Sequence, residues 1–254
     1  MSSSGPVDSD ARVIACIPAD EGIFRIALEA PRIASACRPG QFAMLEPSPG
    51  AFPVSRRPLT FSSCDPEAGS VTFLFDVAGA GTSILSRSVE GDSVRILGPL
   101  GRGWETAPGR WLMVAGGLGI AGFPFLLSTA DEAVVMAGTR TGRGTSCCPP
   151  GTVLATEDGS VGMRGLVTGL LEDVEWDSFD SIAVCGPSAM MRAVVARTPP
   201  RVLGRVQVSM ESRMGCGWGV CGGCPVPSSR GGFMSCCKDG PVFRACDVDW
   251  ERIS

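Results

Sequence analysis

The chain has 254 residues, 44% hydrophobic and 19% charged, with a formal net charge of −4 and no histidine. That balance describes a soluble globular protein with room for one large core or two modest ones, and it gives no electrostatic reason to expect nucleic acid or an anionic membrane as partner. The missing imidazole excludes Ser-His-Asp and Cys-His nucleophiles, HExxH zinc sites, Rieske clusters and imidazole bases, so chemistry falls to cofactors or to carboxylate, thiol and lysine groups.

The N-terminal stretch MSSSGPVDSDAR has neither a basic region nor an apolar one, which argues against a cleaved secretory signal and predicts a cytoplasmic protein. Twelve cysteines in that setting read as thiols and metal ligands rather than structural disulfides.

Residues 11–105 read as all-β. ARVIACIP, IFRIALEA, QFAMLEP, SVTFLFDVA and DSVRILGP are short β-prone runs separated by Gly, Pro and Asp, spaced as in a small barrel or sandwich. Little there looks helical beyond the few residues after Gly81. RRPLTF places Arg57 and Thr60 at the end of a β segment, and GAGTSILS follows with Gly79, Gly81, Thr82 and Ser83. A guanidinium and a Gly-Thr turn opening a short helix can together hold a pyrophosphate; the same residues also suit a surface arginine and an ordinary turn.

Residues 106–210 alternate. RWLMVAGG, EAVVMAG, DSIAVCG and GRVQVSM read as buried strands, and GIAGFPFLLSTA, GLVTGLLEDV and SAMMRAVVART as helices, which predicts a parallel sheet of the nucleotide-binding type. The charge-free run from Trp111 to Ala130 has the length of a membrane span. Its four glycines and Pro124 suit a strand-turn-helix corner better, so no membrane span is predicted. Gly116, Gly117 and Gly119 follow the first strand without the strict GxGxxG spacing. VCGPSAMM sets Cys185 at the carboxyl edge of the sheet, where open α/β folds bind ligands, although most such cysteines are packing.

Residues 211–254 are rich in cysteine, glycine and proline and lack periodicity. Such a segment orders itself with the help of a metal centre. Cys216, Cys221 and Cys224, followed by the adjacent pair Cys236 and Cys237, match the C-x4-C-x2-C…C spacing of plant-type [2Fe–2S] ligation. Zinc ribbons use paired C-x2-C knuckles, and only Cys221 and Cys224 are so spaced. The interleaved glycines let backbone wrap closely around sulfur.

Taken in order, RPGQF (38–42), RRPLTF (56–61), GAGT (79–82), GPLGRGW (98–104), VAGGLGIA (114–121), ATEDGSVG with GLVT (155–168), VCGPSAMM (184–191), ESRMGCGWGVCGGC (211–224) and CKDGPVF (237–243) resemble the electron-transfer subunit of class B dihydroorotate dehydrogenase, a branch of the ferredoxin-reductase-like flavoproteins. The resemblance covers nearly the whole chain. It implies an FAD-binding β-barrel domain (1–105), an NAD-binding α/β domain (106–210) and a small C-terminal [2Fe–2S] lobe (211–254) facing a catalytic subunit that carries FMN. It implies that Arg57, Pro58, Leu59 and Thr60 hold the flavin, with Gly81 and Thr82 at its pyrophosphate. Gly116, Gly117, Cys185, Gly186 and Pro187 would line the nicotinamide site, and Cys216, Cys221, Cys224 and Cys237 would ligate iron, leaving Cys236 a packed thiol. The implied activity relays electrons from dihydroorotate oxidation in pyrimidine biosynthesis to NAD+, in a heterotetramer with two catalytic subunits, and the chain itself supplies no general acid or base.

Two departures stand out. Where this family has a helix between VVMAGTR and VLATEDG, the link is TGRGTSCCPPG, too short and too rich in Gly and Pro to form one. Gly122-Phe123 is inserted before Pro124, which shifts the start of the following helix. The flavin subunits of ferredoxin:NADP oxidoreductases and sulfide dehydrogenases are similar, but they tend to place Asp at the first ligand position, where this chain has Cys216. A non-catalytic assembly protein that retains the lobe is the remaining alternative.

Overall fold

The computed structural model describes residues 5–47 and 55–253; the N-terminal MSSS, on which part of the localisation reading rests, lies outside them. The first half closes into a six-stranded antiparallel barrel: β1 (Val7–Asp20), β2 (Ile23–Glu29), β3 (Phe42–Glu46), β4 (Arg57–Asp65), β5 (Ser70–Asp76) and β6 (Ser93–Leu100), in the order β1-β2-β5-β4-β3-β6. Alternation puts Val13, Ile26, Leu28, Phe61, Phe73 and Ile96 inside, each fully buried, as a closed barrel requires of one face of every strand. RRPLTF opens β4 rather than ending a strand, since pairing with β5 carries the ladder on to Asp65. Two short helices, α1 (Pro31–Ala34) and α2 (Ala80–Leu85), cover the barrel; the first, a single turn begun by Pro31, is too short to register as a periodic pattern.

The second half supplies six strands of a seven-stranded sheet, β7 (Arg110–Gly116), β8 (Glu132–Thr139), β9 (Val153–Thr156), β10 (Met163–Arg164), β11 (Ser181–Cys185) and β12 (Val206–Ser209), with helices α3 (Phe123–Leu127) and α4 (Ser188–Arg197). The charge-free run forms β7, a 3-10 turn over Gly117–Gly122 and α3, and no helix among the described residues is long and apolar enough to cross a membrane. GLVTGLLEDV forms only a 3-10 turn, Val167–Leu171, because Val167, Thr168 and Gly169 are poor helix formers in succession. The order β10-β9-β8-β7-β11-β12 is parallel throughout. It reverses direction at β7, which pairs with β8 on one side and β11 on the other, so a crevice opens beyond the carboxyl ends of β7 and β11.

The remaining chain forms the hairpin β13 (Pro225–Pro227) and β14 (Phe233–Ser235), the turn α5 (Cys236–Asp239) and β15 (Val242–Arg244). β15 pairs antiparallel with β12 and becomes the outer strand of the sheet. The lobe is thus part of the sheet and also wedged against the barrel: Phe42, Met44, Leu97 and Leu100 share one buried cluster with Cys224, Cys236, Cys237, Val206 and Val208.

Candidate functional site

A cleft runs between barrel and sheet, lined by Pro58, Leu59 and Thr60 from β4, Leu74 and Asp76 from β5, Leu118 and Ala121 from the 3-10 turn, and Cys185, Ser209 and Glu211 at the sheet's carboxyl edge. Four of the residues singled out in sequence therefore share one wall-to-wall space. The Thr60 hydroxyl donates to the Gln41 carbonyl at 3.2 Å, fixing the side chain at the cleft.

Arg57 and the Gly-Thr turn come together beside it. A Cβ on Gly81 would stand 2.4 Å from the Arg57 Nε, so the absence of a side chain there lets the turn lie directly on the guanidinium. Arg57 is held from behind by Ser55, whose hydroxyl accepts at 2.9 Å. The Thr82 hydroxyl accepts the N–H groups of Ala78 and Gly79 at 3.0 and 3.2 Å; it locks the turn that Gly81 continues.

The two loops expected at the nicotinamide interlock backbone to backbone. A Cβ on Gly119 would be 2.3 Å from the Cys185 carbonyl oxygen, and one on Gly186, whose φ is +151°, would be 2.8 Å from the Gly116 nitrogen. Pro187 and Met190 close over Gly116 in the same way, while Gly117 faces open space. Burial, with the Glu211 charge as a smaller contribution, pushes the Cys185 thiol up to about 12, so it stays neutral at the cleft. Glu211 remains open to solvent on the rim, yet the surrounding protein pushes its carboxyl up. Sequence reasoning assigned Glu211 no role; its signal is the position, one residue past Met210, where the chain leaves the carboxyl edge of β12.

In the lobe the four expected thiols stand as two pairs. Cys216 stands beside Cys221, and the backbone N–H of Trp218 points at the Cys216 sulfur from 3.3 Å. Cys224 and Cys237 lie 3.3 Å apart, with the Cys237 N–H 3.4 Å from the Cys224 sulfur. Burial works against ionisation of Cys216, but the N–H groups of Trp218 and Cys221, together with the Cys221 thiol, pull it down to about 6. Gly219, at φ +79°, brings the loop against Lys238, where a Cβ would be 2.8 Å from the lysine Cβ. Cys236 turns away: it is fully buried, its thiol donates to the Met210 carbonyl at 3.3 Å, and burial pushes it up to about 12. Among the described residues no three His, Cys, Asp or Glu are gathered as a single metal ion needs. Two thiol pairs with N–H groups aimed at sulfur fit the donor set of a two-iron cluster better than that of a single ion.

A closed barrel, a parallel sheet whose switch point opens on it and a four-thiol lobe define a ferredoxin-reductase-like protein with an iron–sulfur lobe. The fold is similar to a solved NADH-dependent reduced ferredoxin-NADP oxidoreductase, with a TM-score of 0.79 and 28% identity over 95% of this chain and 90% of that one. Residues 211–249 match the iron–sulfur cluster binding domain of dihydroorotate dehydrogenase B. The chain is 35% identical to the dihydroorotate dehydrogenase B (NAD(+)) electron transfer subunits of Geobacillus thermodenitrificans, over 90% of this chain and 93% of that protein, and of Desulforamulus reducens, over 95% and 98%. It belongs to the family of dihydroorotate dehydrogenase B electron transfer subunits.

Proposed function

We propose that this chain relays electrons between NAD+ and the FMN of a catalytic partner that oxidises dihydroorotate to orotate, holding FAD, a [2Fe–2S] cluster and NAD(H) as it does so. The observation that carries this reading is the sharing of one cleft by Thr60 of the barrel and Cys185 of the sheet, with the thiol lobe built into the same sheet. When bound, the cluster moves electrons singly and the flavin exchanges them with hydride, so the protein's part is orientation and electrostatics. Pro58, Leu59 and Thr60 form the barrel wall against which the isoalloxazine lies, and Arg57 with the Gly81-Thr82 turn supplies charge and N–H donors to its pyrophosphate. Gly117 and Pro187 are exposed at the switch point for the nicotinamide, the buried backbones of Gly116 and Gly186 hold the two loops together behind them, and the neutral Cys185 thiol adds no charge there. Cys216, Cys221, Cys224 and Cys237 ligate iron.

The partner is read from the lobe's surface. Trp218 is 46% exposed and Val220 82% exposed on the loop between the first two thiols, and apolar side chains left in water around a redox centre mark a binding surface. The chain co-purified anaerobically with its catalytic partner is expected to contain flavin and iron–sulfur absorption that NADH bleaches. Trp218→Ala is expected to weaken subunit association by about 2 kcal/mol, the size of a buried aromatic anchor, with the bleaching retained. Protein without flavin, or bleached by NADPH and not NADH, would defeat the reading.

A further inference from the structure

The link from β8 to β9, residues 140–152, contains a single 3-10 turn at Thr145–Cys147 and no α-helix. Instead of covering its own sheet it reaches across to the barrel. The Arg143 guanidinium grips Asp76 with two prongs, Nη2 to Oδ1 at 2.7 Å and Nη1 to Oδ2 at 3.4 Å, and its Nε donates to the Glu21 carbonyl at 2.7 Å. The Gly144 N–H donates to the Asp20 carboxylate at 3.0 Å, and the Ser146 hydroxyl donates to the same carboxylate. Every one of these partners belongs to the end of β1, the β1–β2 turn or the end of β5.

The two cysteines of the link are driven into different cores. Cys147 is buried with Ile23 and Leu74 of the barrel and Ala121 of the 3-10 turn after β7. Cys148 packs with the cluster around Phe123, Leu126 and Leu154 on the sheet. Leu74, Asp76 and Ala121 are also cleft-lining residues. The link therefore rests on the outer side of walls that both domains contribute to the cleft.

We propose that the 140–152 link is a strut that sets the angle between barrel and sheet, and that Arg143 and Cys147 are positioning residues for hydride transfer across the cleft. This rests on reading the cleft as a flavin and nicotinamide site. With one reactant carried by each domain, the separation of the reacting atoms is the placement of one domain on the other, and misplacement by about 1 Å costs up to about a hundredfold in rate. Domain interfaces within one chain are mobile unless large or well tied. An exposed ion pair adds little to global stability, so cutting it tests alignment rather than folding.

The test uses the full chain in its complex with the catalytic subunit. In Arg143→Gln, amide exchange over residues 19–24 and 142–148 is expected to quicken about tenfold, while flavin content stays at the wild-type level. Flavin reduction at saturating NADH is expected to slow about tenfold, with half-saturation moved less than about threefold. Arg143→Lys, which keeps charge without the two-pronged grip, is expected to fall between wild type and Arg143→Gln in both. Unchanged exchange over 19–24, or quickened exchange with reduction at the wild-type rate, overturns the strut. Failure of the underlying cleft reading shows elsewhere, in wild-type protein whose flavin NADH does not bleach.

Discussion

The Arg57 guanidinium occupies the space that a side chain on Gly81 would need, the Nε lying 2.4 Å from where that Cβ would be. Gly81→Ala therefore moves the guanidinium without touching the barrel core. A charge-assisted contact to phosphate is worth about 1.5–3 kcal/mol, so flavin affinity is expected to fall by at least about tenfold while the apoprotein melts within a few degrees of wild type. Fluorescence titration of the apoprotein with FAD checks this; full flavin occupancy in the variant would remove Arg57 from the pyrophosphate.

Gly119 faces a harder obstacle, since its neighbour is the backbone carbonyl of Cys185. Gly119→Ala must push the 3-10 turn off the β11–α4 corner, with an overpacking cost of about 1–3 kcal/mol. The expected outcome is a lower melting temperature and a larger loss of NADH binding than of flavin, since the turn walls the shared cleft while Arg57 and Gly81 stay in place. Equal loss of both cofactors would place the damage in the domain contact instead.

The adjacent thiols Cys236 and Cys237 separate cleanly. Cys237→Ser is expected to abolish the iron–sulfur absorption. Cys236→Ser keeps it, at a stability cost of about 1 kcal/mol for burying a hydroxyl that still reaches the Met210 carbonyl. Iron content and visible spectra of the two variants decide the matter, and a cluster lost from Cys236→Ser alone would reverse the assignment.

Asp20 is held below the usual carboxylate range, first by the Ser146 hydroxyl, then by the Glu21 and Gly144 N–H groups and the Arg143 charge. A carboxyl depressed in the folded state stabilises at every pH above its unfolded value, about 3.9, and that contribution is lost as pH falls through the folded value. Protection of residues 19–24 from amide exchange, corrected for intrinsic rates, is therefore expected to be level between about pH 5 and 8 and to fall below about pH 4. Protection that falls as pH rises from 5 to 8 would assign the tie to another group.

Much of this architecture is legible in the residues. Alternation in IFRIALEA and SVTFLFDVA fixes which face of the barrel is buried, and the unbroken apolar run WLMVA marks β7 as a central strand. The cysteine spacing singles out Cys216, Cys221 and Cys224 with the adjacent pair Cys236 and Cys237, and the resemblance over CKDGP chooses Cys237 of the two. What escapes is non-local. Val242–Arg244 is three residues long and becomes a strand only because β12 offers it a ladder. Glu211 acquires its setting from walls supplied by Thr60 and Cys185, far away in sequence. The link after Thr139 reads correctly as lacking a helix, but nothing within TGRGTSCCPPG names Asp20 and Asp76 as its partners.

The pairing of β15 with β12 carries a consequence for biogenesis. Until the thiol loop has been made and threaded, β12 presents an open edge with unpaired N–H and C=O groups, the kind of surface on which chains aggregate. The nucleotide half is then complete only once the last residues of the lobe have been made, and a chain truncated before Val242 is expected to aggregate through the bare edge of β12.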